Sequence, residues 1–476
     1  MKVNHNIAAV LANNRLRVTE KNLSNSVAKL SSGYKVNSAK DNPAGFAIAH
    51  KMSTQLRGLE RAADNAVDGV SAIETAEGAL NEIQAMLQRL RELAVQSAND
   101  TYTPDDREAI QVEGEKLQEE IQRLARDTEF NKKSLLDGSF DTRAYGNTDG
   151  VSAALVSDSV EAGNYKVIIN SLAKKTTLTG GAVDTSAFGK PADTAEKGSF
   201  CINNVVVEFS TDMSLDEVYG KIRRAAEMAD TKVSQDGGFL EFTSEEYGSR
   251  WDIEVSVEPA SLAATLGLDS CIKEKGEDAD ISLIKTGNED SLFKETASCS
   301  ADGQRVKITD RNGFEMTIKV DQDAYKEITG QTDLAGRTAN IDVKGFGYMS
   351  LQVGSNENQT IDVRIPDISL ENMGIESLNY MTHEAAARAI TQVDNALSFI
   401  SSVRAKLGAY QNRLEYTISS LEVTNESLTQ AYSRIMDTDM AEEMATYSQY
   451  NVLQQAGVSV LAQANDLPQT VLQLLQ

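Results

Sequence analysis

Residues 386–435 read AARAI TQVDNALSFI SSVRAKLGAY QNRLEYTISS LEVTNESLTQ AYSRI. Within them Ala386, Ile390, Val393, Leu397, Ile400, Arg404, Leu407, Gln411, Leu414, Ile418, Leu421, Asn425, Leu428, Tyr432 and Ile435 step by four and three, one heptad seam. At about 1.5 Å per residue this segment makes a rod of roughly 75 Å. Such a rod cannot fold back into a globule, so its seam must face another long helix. Arg404, Gln411 and Asn425 are polar members of the seam. They are either solvated edges or residues that fix register by excluding misaligned pairings.

The N-terminal third supplies a partner. Asp41-Asn42-Pro43 reads as a cap followed by a first-turn proline. An apolar stripe follows through Met52, Leu56, Leu59, Ala63, Ala66, Val70, Ile73, Ala76, Leu80, Ile83, Leu87, Leu90 and Ala94. The consecutive steps of three at Val70, Ile73 and Ala76 predict a three-residue stammer that locally overwinds the coil. A second helix starts after Thr103-Pro104, with Asp105 and Asp106 in its first turn, where the helix dipole favours negative charge. Its apolar positions are Ile110, Leu117, Ile121 and Leu124.

Both extremities are amphipathic. Leu16, Leu23 and Leu30 recur every seven residues, with Val27 between them, and Leu453, Gly457, Val460, Ala464 and Leu467 keep the same step. Residues 1–60 hold nine Lys/Arg against three Asp/Glu, whereas residues 437–476 hold five Asp/Glu and no Lys/Arg. The ends therefore attract one another. Exposed pairs contribute only about 0–1 kcal/mol each, so charge orients the pairing more than it holds it. Each end has an apolar stripe with little nearby in sequence to cover it. Alone in water such helices are expected to be marginal or disordered, gaining order by packing on copies of themselves. The tail residues Val471, Leu472, Leu474 and Leu475 are best explained if a neighbour buries them.

The middle is a different material. Val205, Val207 and Phe209 alternate with polar residues, as do Leu240 with Phe242, and Trp251, Ile253, Val255 and Val257. Val306 and Ile308, then Asn312-Gly313, then Phe314, Met316, Ile318 and Val320 predict a hairpin with a type I′ turn. Ser214-Leu-Asp-Glu217 is a capping-box pattern opening a short helix through about Ala229. The fold class is α+β and multi-domain. Long N- and C-terminal helices form a coiled-coil core and an inner helical bundle, and one or more β-rich outer domains are inserted between them. The expected divisions are 1–40, 41–140, 141–344, 345–436 and 437–476.

Composition and motifs exclude much. The chain of 476 residues carries a formal net charge of −25, which gives a nucleic-acid binder no basic footprint. No run of about 18 apolar residues is present to span a membrane. Residues 1–6 and the short mixed run after them do not make an ordinary secretory signal peptide. The three cysteines, Cys201, Cys271 and Cys299, cannot all pair within one molecule. His383-Glu384 begins a zinc-protease pattern, but position 387 is Ala; the better reading is a helix capped by Thr382. Gly345-Phe-Gly347 lacks a third glycine and reads as a strand-to-turn segment. No catalytic, metal-binding or cofactor-binding constellation emerges, so the expectation is a non-enzyme with no cofactor. Arg89, Arg91 and Glu92 read as a solvated helix face or a partner surface.

Several stretches together resemble bacterial flagellin. They are Asn22-Leu-Ser-Asn25 through Leu30-Ser-Ser-Gly33, Ser38-Ala-Lys-Asp-Asn-Pro-Ala-Gly45, Leu87 through Asn99, Phe130-Asn131, Ser433-Arg-Ile435, Leu453-Gln-Gln-Ala-Gly457, Val460 through Asn465, Pro468-Gln and Val471-Leu. The resemblance covers about 1–140 and 345–476. The segment from Ile202-Asn203 looks like a repeat module of flagellin outer domains, a weaker match. The resemblance implies a self-polymerising subunit of the flagellar filament, serving motility and exported unfolded without a cleaved signal peptide. Its implied partners are itself, the flagellar cap, junction proteins, an export chaperone and the export apparatus. The polymerisation core would comprise Leu16, Leu23, Val27, Leu30, Leu453, Val460, Leu467, Leu472 and Leu475. Animal Toll-like receptor 5 recognises the family, and by motif Gln88, Arg89, Glu92, Leu93 and Glu113 are the matching contacts. The tail around 471–475 resembles a segment sensed by cytosolic inflammasome receptors. Two alternatives stand beside this reading: a hook–filament junction protein, and a surface adhesin or enzyme module carried in the outer domain.

Overall fold

The computed structural model describes residues 6–148, 150–157, 160–189, 196–236, 238–268, 271–285, 291–321, 323, 336–344 and 347–474. Its helices are α1 (Ile7–Ser32), α2 (Pro43–Ser97), α3 (Pro104–Asp127), α4 (Leu215–Met228), α5 (Ala260–Thr265), α6 (Leu370–Met373), α7 (His383–Met436) and α8 (Met440–Leu474). Strands occupy the sequence from Arg143 to Lys344, with short pairings on either side. The fold is α+β, with long terminal helices and a β-rich middle.

The helices start where local chemistry directs. Asn42 Oδ1 accepts from the Gly45 N–H at 2.9 Å, capping α2 just before Pro43. Thr103 and Asp106 form a reciprocal capping box at α3, and Ser214 and Glu217 form another at α4. Thr382 Oγ1 accepts from the Ala385 N–H at 3.1 Å to open α7, with Glu384 in the first turn. The His383 ring nitrogen Nδ1 lies 2.7 Å from the Ala98 carbonyl, which gives that histidine a structural role.

The chain forms two compact units: Met1–Val70 with Leu351–Ile361 and Asn412–Gln476, and Ser71–Ser350 with Asp362–Gln411. In the first, α1 and α8 lie antiparallel. Asn6 Nδ2 donates to the Ala464 carbonyl at 2.8 Å near one end, and Ser26 Oγ donates to Glu443 Oε1 at 2.6 Å toward the other. Val36, Ala49 and Met436 form a small core, flanked by Phe46, Tyr432 and Ile435. Leu351 and Ser355 pack over Gly69 and Gly58 of α2.

In the second unit, α3 and parts of α2 and α7 bury their apolar faces. Tyr380 is fully buried against Gly114, and Gln111 and Gln118 donate to the carbonyls of Leu378 and Ile375 at 3.1 and 2.5 Å. The strands make two hydrophobic cores. One gathers two four-stranded antiparallel sheets around Tyr165, Val167, Ile308 and Ile341. The other packs α4 and α5 with a four-stranded and a three-stranded sheet around Phe200, Ile222, Phe242 and Val255.

Three sequence expectations need correction. A regular buried line on α2 runs through Leu59, Ala62, Ala66, Gly69, Ile73, Ala76, Leu80, Ile83, Leu87, Leu90, Ala94 and Ser97, with Ala49, Ala72 and Leu93 also buried. Along this line threes and fours alternate without a stammer: Ala62 and Gly69 carry it where Ala63 and Val70 were expected. In α7 the buried line runs through Ala386, Ala389, Val393, Ala396, Ile400, Val403, Leu407 and Leu414. Arg404 therefore flanks the seam instead of interrupting it. Its Nη1 donates to Gln84 Oε1 at 2.6 Å, and its Nη2 lies 3.4 Å from Glu77 Oε1, so this edge is pinned to α2. The third correction is the hairpin turn. Strands Arg305–Thr309 and Glu315–Val320 pair as expected, but only Gly313 has positive φ. The loop is a turn in which the Gly313 N–H donates to the Asp310 carbonyl at 3.3 Å, closed by a left-handed glycine, and Asp310 Oδ1 accepts the Arg311 N–H at 2.7 Å. Of Gly345-Phe-Gly347, only Gly347 lies within the described residues.

Candidate assembly surface

Helix α1 carries two apolar faces. At about 100° per residue, Leu16, Leu23 and Leu30 fall within about 40° of one another. Ile7, Leu11 and Val18 fall within a similar arc on the opposite side. The first face is half-buried, toward α8: a Cβ on Gly457 would stand 3.3 Å from Leu16 Cδ1. The second is open, with Ile7 73%, Leu11 62% and Val18 55% exposed. Val27, beside the first face, is also exposed.

Helix α8 repeats the pattern. Glu443, Gly457 and Ala464 point toward α1, while Met444, Val452, Leu453, Val458 and Val460 are exposed. Ser26 is the buried residue of α1, and Ala464 is buried in α8. Among the described side chains, the pairing thus leaves most of the apolar surface in water. The opposite net charges of the ends are expressed at Lys29, whose Nζ lies 3.5 Å from Glu443 Oε2. In α7 beyond Leu414, Ile418, Leu421, Leu428, Tyr432 and Ile435 are only half-buried, so the same deficit of cover extends along that helix.

Of the residues expected in the polymerisation core, Leu16, Leu23 and Leu30 are half-buried and Val27, Leu453 and Val460 are exposed. Leu467 and Leu472 lie on the α8 backbone, with their side chains outside the description, and Leu475 lies outside the described residues. Sequence reading missed Ile7, Leu11 and Val18. Their spacing of four and seven is a weaker signal than the leucines that repeat every seven, which are the half-buried set.

The expected receptor contacts gather on α2 and α3. Gln88, Arg89, Glu92 and Glu113 are exposed. Arg89 Nε donates to Glu113 Oε1 at 2.8 Å and its Nη1 to Glu92 Oε2 at 3.1 Å. These two carboxylates raise the guanidinium further above its usual range. Leu93 differs: it is 1% exposed and belongs to the α2 packing face, so it offers no side-chain area to a partner. Arg91 is held by Asp394 at 2.6 Å.

Among the described residues no group of three His, Cys, Asp or Glu side chains is placed to hold a metal ion. No described helix is long and apolar enough to cross a membrane. Cys201, Cys271 and Cys299 are free thiols.

A profile of the bacterial flagellin N-terminal helical region matches residues 3–141, and one of the C-terminal helical region matches 390–475. The flagellin of Clostridium tyrobutyricum is 33% identical over 98% of this chain and 100% of its own length. B-type flagellin of Pseudomonas aeruginosa is 34% identical, with 100% of both chains covered. Among solved structures, FliC from Burkholderia pseudomallei is similar at 16% identity and a TM-score of 0.23, covering 72% of this chain and 99% of that one. From matches to both helical regions and to flagellins along their whole length, the chain belongs to the bacterial flagellins, structural subunits of the extracellular flagellar filament and not enzymes.

Proposed function

We propose that this chain polymerises through the uncovered faces of α1 and α8, building a filament that serves motility. The observation that carries the reading is the outward row Ile7, Leu11 and Val18, left in water while Leu16, Leu23 and Leu30 turn toward α8. Burying apolar area contributes about 25 cal/mol per Å², so a few thousand Å² of interface offsets the ordering of the ends. In this reading 1–40 and 437–476 line the filament core, 41–140 and 345–436 form the inner bundle, and 141–344 faces solvent. Export, the flagellar cap and the junction proteins are the partners that such a life cycle requires. Removing residues 1–30, or the last 40, should leave a folded monomer that cannot elongate seeds in electron micrographs. Long filaments from either truncated protein would overturn the mechanism.

A second activity is carried by the exposed cluster of Gln88, Arg89, Glu92 and Glu113. It offers a charged surface to Toll-like receptor 5, with Leu93 supporting the helix from beneath. Arg89→Ala should weaken receptor signalling while leaving polymerisation intact, and unchanged signalling would remove this role.

A further inference from the structure

The unit holding the β-rich region also contains a cleft of about 570 Å³. That is within the range of small-molecule sites, about 300–1,000 Å³. One wall is a row of charged residues across a sheet. Asp302 pairs in register with Arg305, and Arg305 with Lys319. The outer two are neutralised: Arg250 holds Asp302 at 2.9 Å, and Glu371 holds Lys319 at 2.7 Å. Arg305, half-buried between them, makes no ion pair or side-chain hydrogen bond among the described residues. Lys319 directly opposite Arg305 destabilises that strand pair, and Asp302 on the other flank is held by Arg250 instead of by Arg305.

The rest of the lining is suited to more than a bare anion. Trp251, the chain's single tryptophan, lines the cleft. The Arg388 guanidinium lies over its ring, 5.1 Å from the centroid, and its Nη2 is 3.6 Å from Asp230 Oδ2. Helix α7 adds the amides of Gln392 and Asn395, and two carboxylates with no ion pair among the described residues, Glu246 and Glu376, complete the edge.

We propose that this cleft binds a carboxylated sugar ring of the hexuronic-acid type. The planar fork of Arg305 takes the carboxylate in two parallel hydrogen bonds. The indole of Trp251 covers the apolar face of the ring. Gln392 and Asn395 exchange hydrogen bonds with ring hydroxyls, and Glu246 and Glu376 accept from them. These carboxylates repel a simple anion, and a neutral sugar leaves Arg305 unpaired, so the combination selects an acid bearing hydroxyls.

The single tryptophan makes the site directly observable in the full-length chain. Trigalacturonate should change Trp251 emission saturably, with half-saturation on the order of 1 mM. Maltotriose, triglutamate and sodium acetate should not. Arg305→Ala should weaken binding at least about tenfold, and Arg305→Lys should recover part of the loss. If Arg305→Ala fails to fold by circular dichroism, Asn395→Ala on the exposed face of α7 serves instead and should weaken binding about threefold. The proposal is overturned by the absence of a saturable response to trigalacturonate, by an equal response to maltotriose or triglutamate, or by undiminished binding in the folded variant.

Discussion

The ring of Tyr380 lies against Gly114: a Cβ on that glycine would stand 2.6 Å from Cε2 of the tyrosine. Tyr380 is fully buried, and Gln111 Oε1 accepts from its N–H at 2.8 Å, so the ring has little room to retreat. Gly114→Ala should therefore destabilise the protein. The overlap costs about 1–3 kcal/mol, outweighing the gain of about 1 kcal/mol from helix propensity. Chemical denaturation checks this, and a more stable Gly114→Ala would show that α3 can move away.

The same tyrosine makes an opposite prediction. Its hydroxyl is buried with no hydrogen-bond partner among the described residues, and burial pushes its ionisation upward. Tyr380→Phe removes an unpaired polar group of the kind that costs about 1–3 kcal/mol. The variant should be at least as stable as the parent in the same denaturation assay. A loss of more than about 1 kcal/mol would imply a partner for that hydroxyl.

Asp230 gives a pH dependence. Burial pushes its carboxyl up to about 6, against the lowering effects of Asn379 and Arg388. A group whose pKa is higher folded than unfolded binds more protons in the folded state, so its contribution to stability is lost as pH rises through about 6. Asp230→Asn keeps an acceptor for the Asn379 amide and removes the buried charge. Relative to the parent, the variant should be most favoured at pH 7.5, and its advantage should shrink as pH falls below 6. Melting temperatures measured across that range decide it. A constant difference would place the titration elsewhere.

The two faces of α1 can be separated by charge. Leu11→Asp lies on the open face and should abolish elongation while leaving the monomer's melting temperature within a few degrees. Leu16→Asp lies on the face toward α8 and should loosen the helix pair itself, seen as lost helical signal. Identical behaviour of the two variants would contradict the assignment of faces.

Long-range organisation was legible because periodicity over fifty residues leaves few alternatives. The α2 and α7 rods, their caps at Asn42 and Thr382, and the strands around Phe242, Val255 and Ile318 all followed from spacing and side-chain type. What was not legible depended on small residues. Gly69 and Ala62 fill the seam because Leu351 and other neighbours supply the volume, and a search for large apolar side chains passes over them. Arg404 looked like a seam residue because Val403 beside it completes an equally regular series. The hairpin turn departs from the Asn312-Gly313 signal because the turn begins at Asp310, whose carbonyl accepts the Gly313 N–H. Leu93 shows the limit of carrying roles over by resemblance: the motif is present, but its side chain faces inward. The cleft at Trp251 joins residues more than one hundred positions apart, which no local pattern reveals.

Hydrogen exchange of the terminal helices, compared between dilute monomer and assembled filament, tests the central claim most directly. Amides in residues 7–30 and 440–465 should exchange rapidly in the monomer and slow by about a hundredfold or more once neighbours cover the Leu11 and Val458 faces. Equal, strong protection of both segments in the monomer would show that these helices are stable without neighbours, contradicting assembly as the event that orders them.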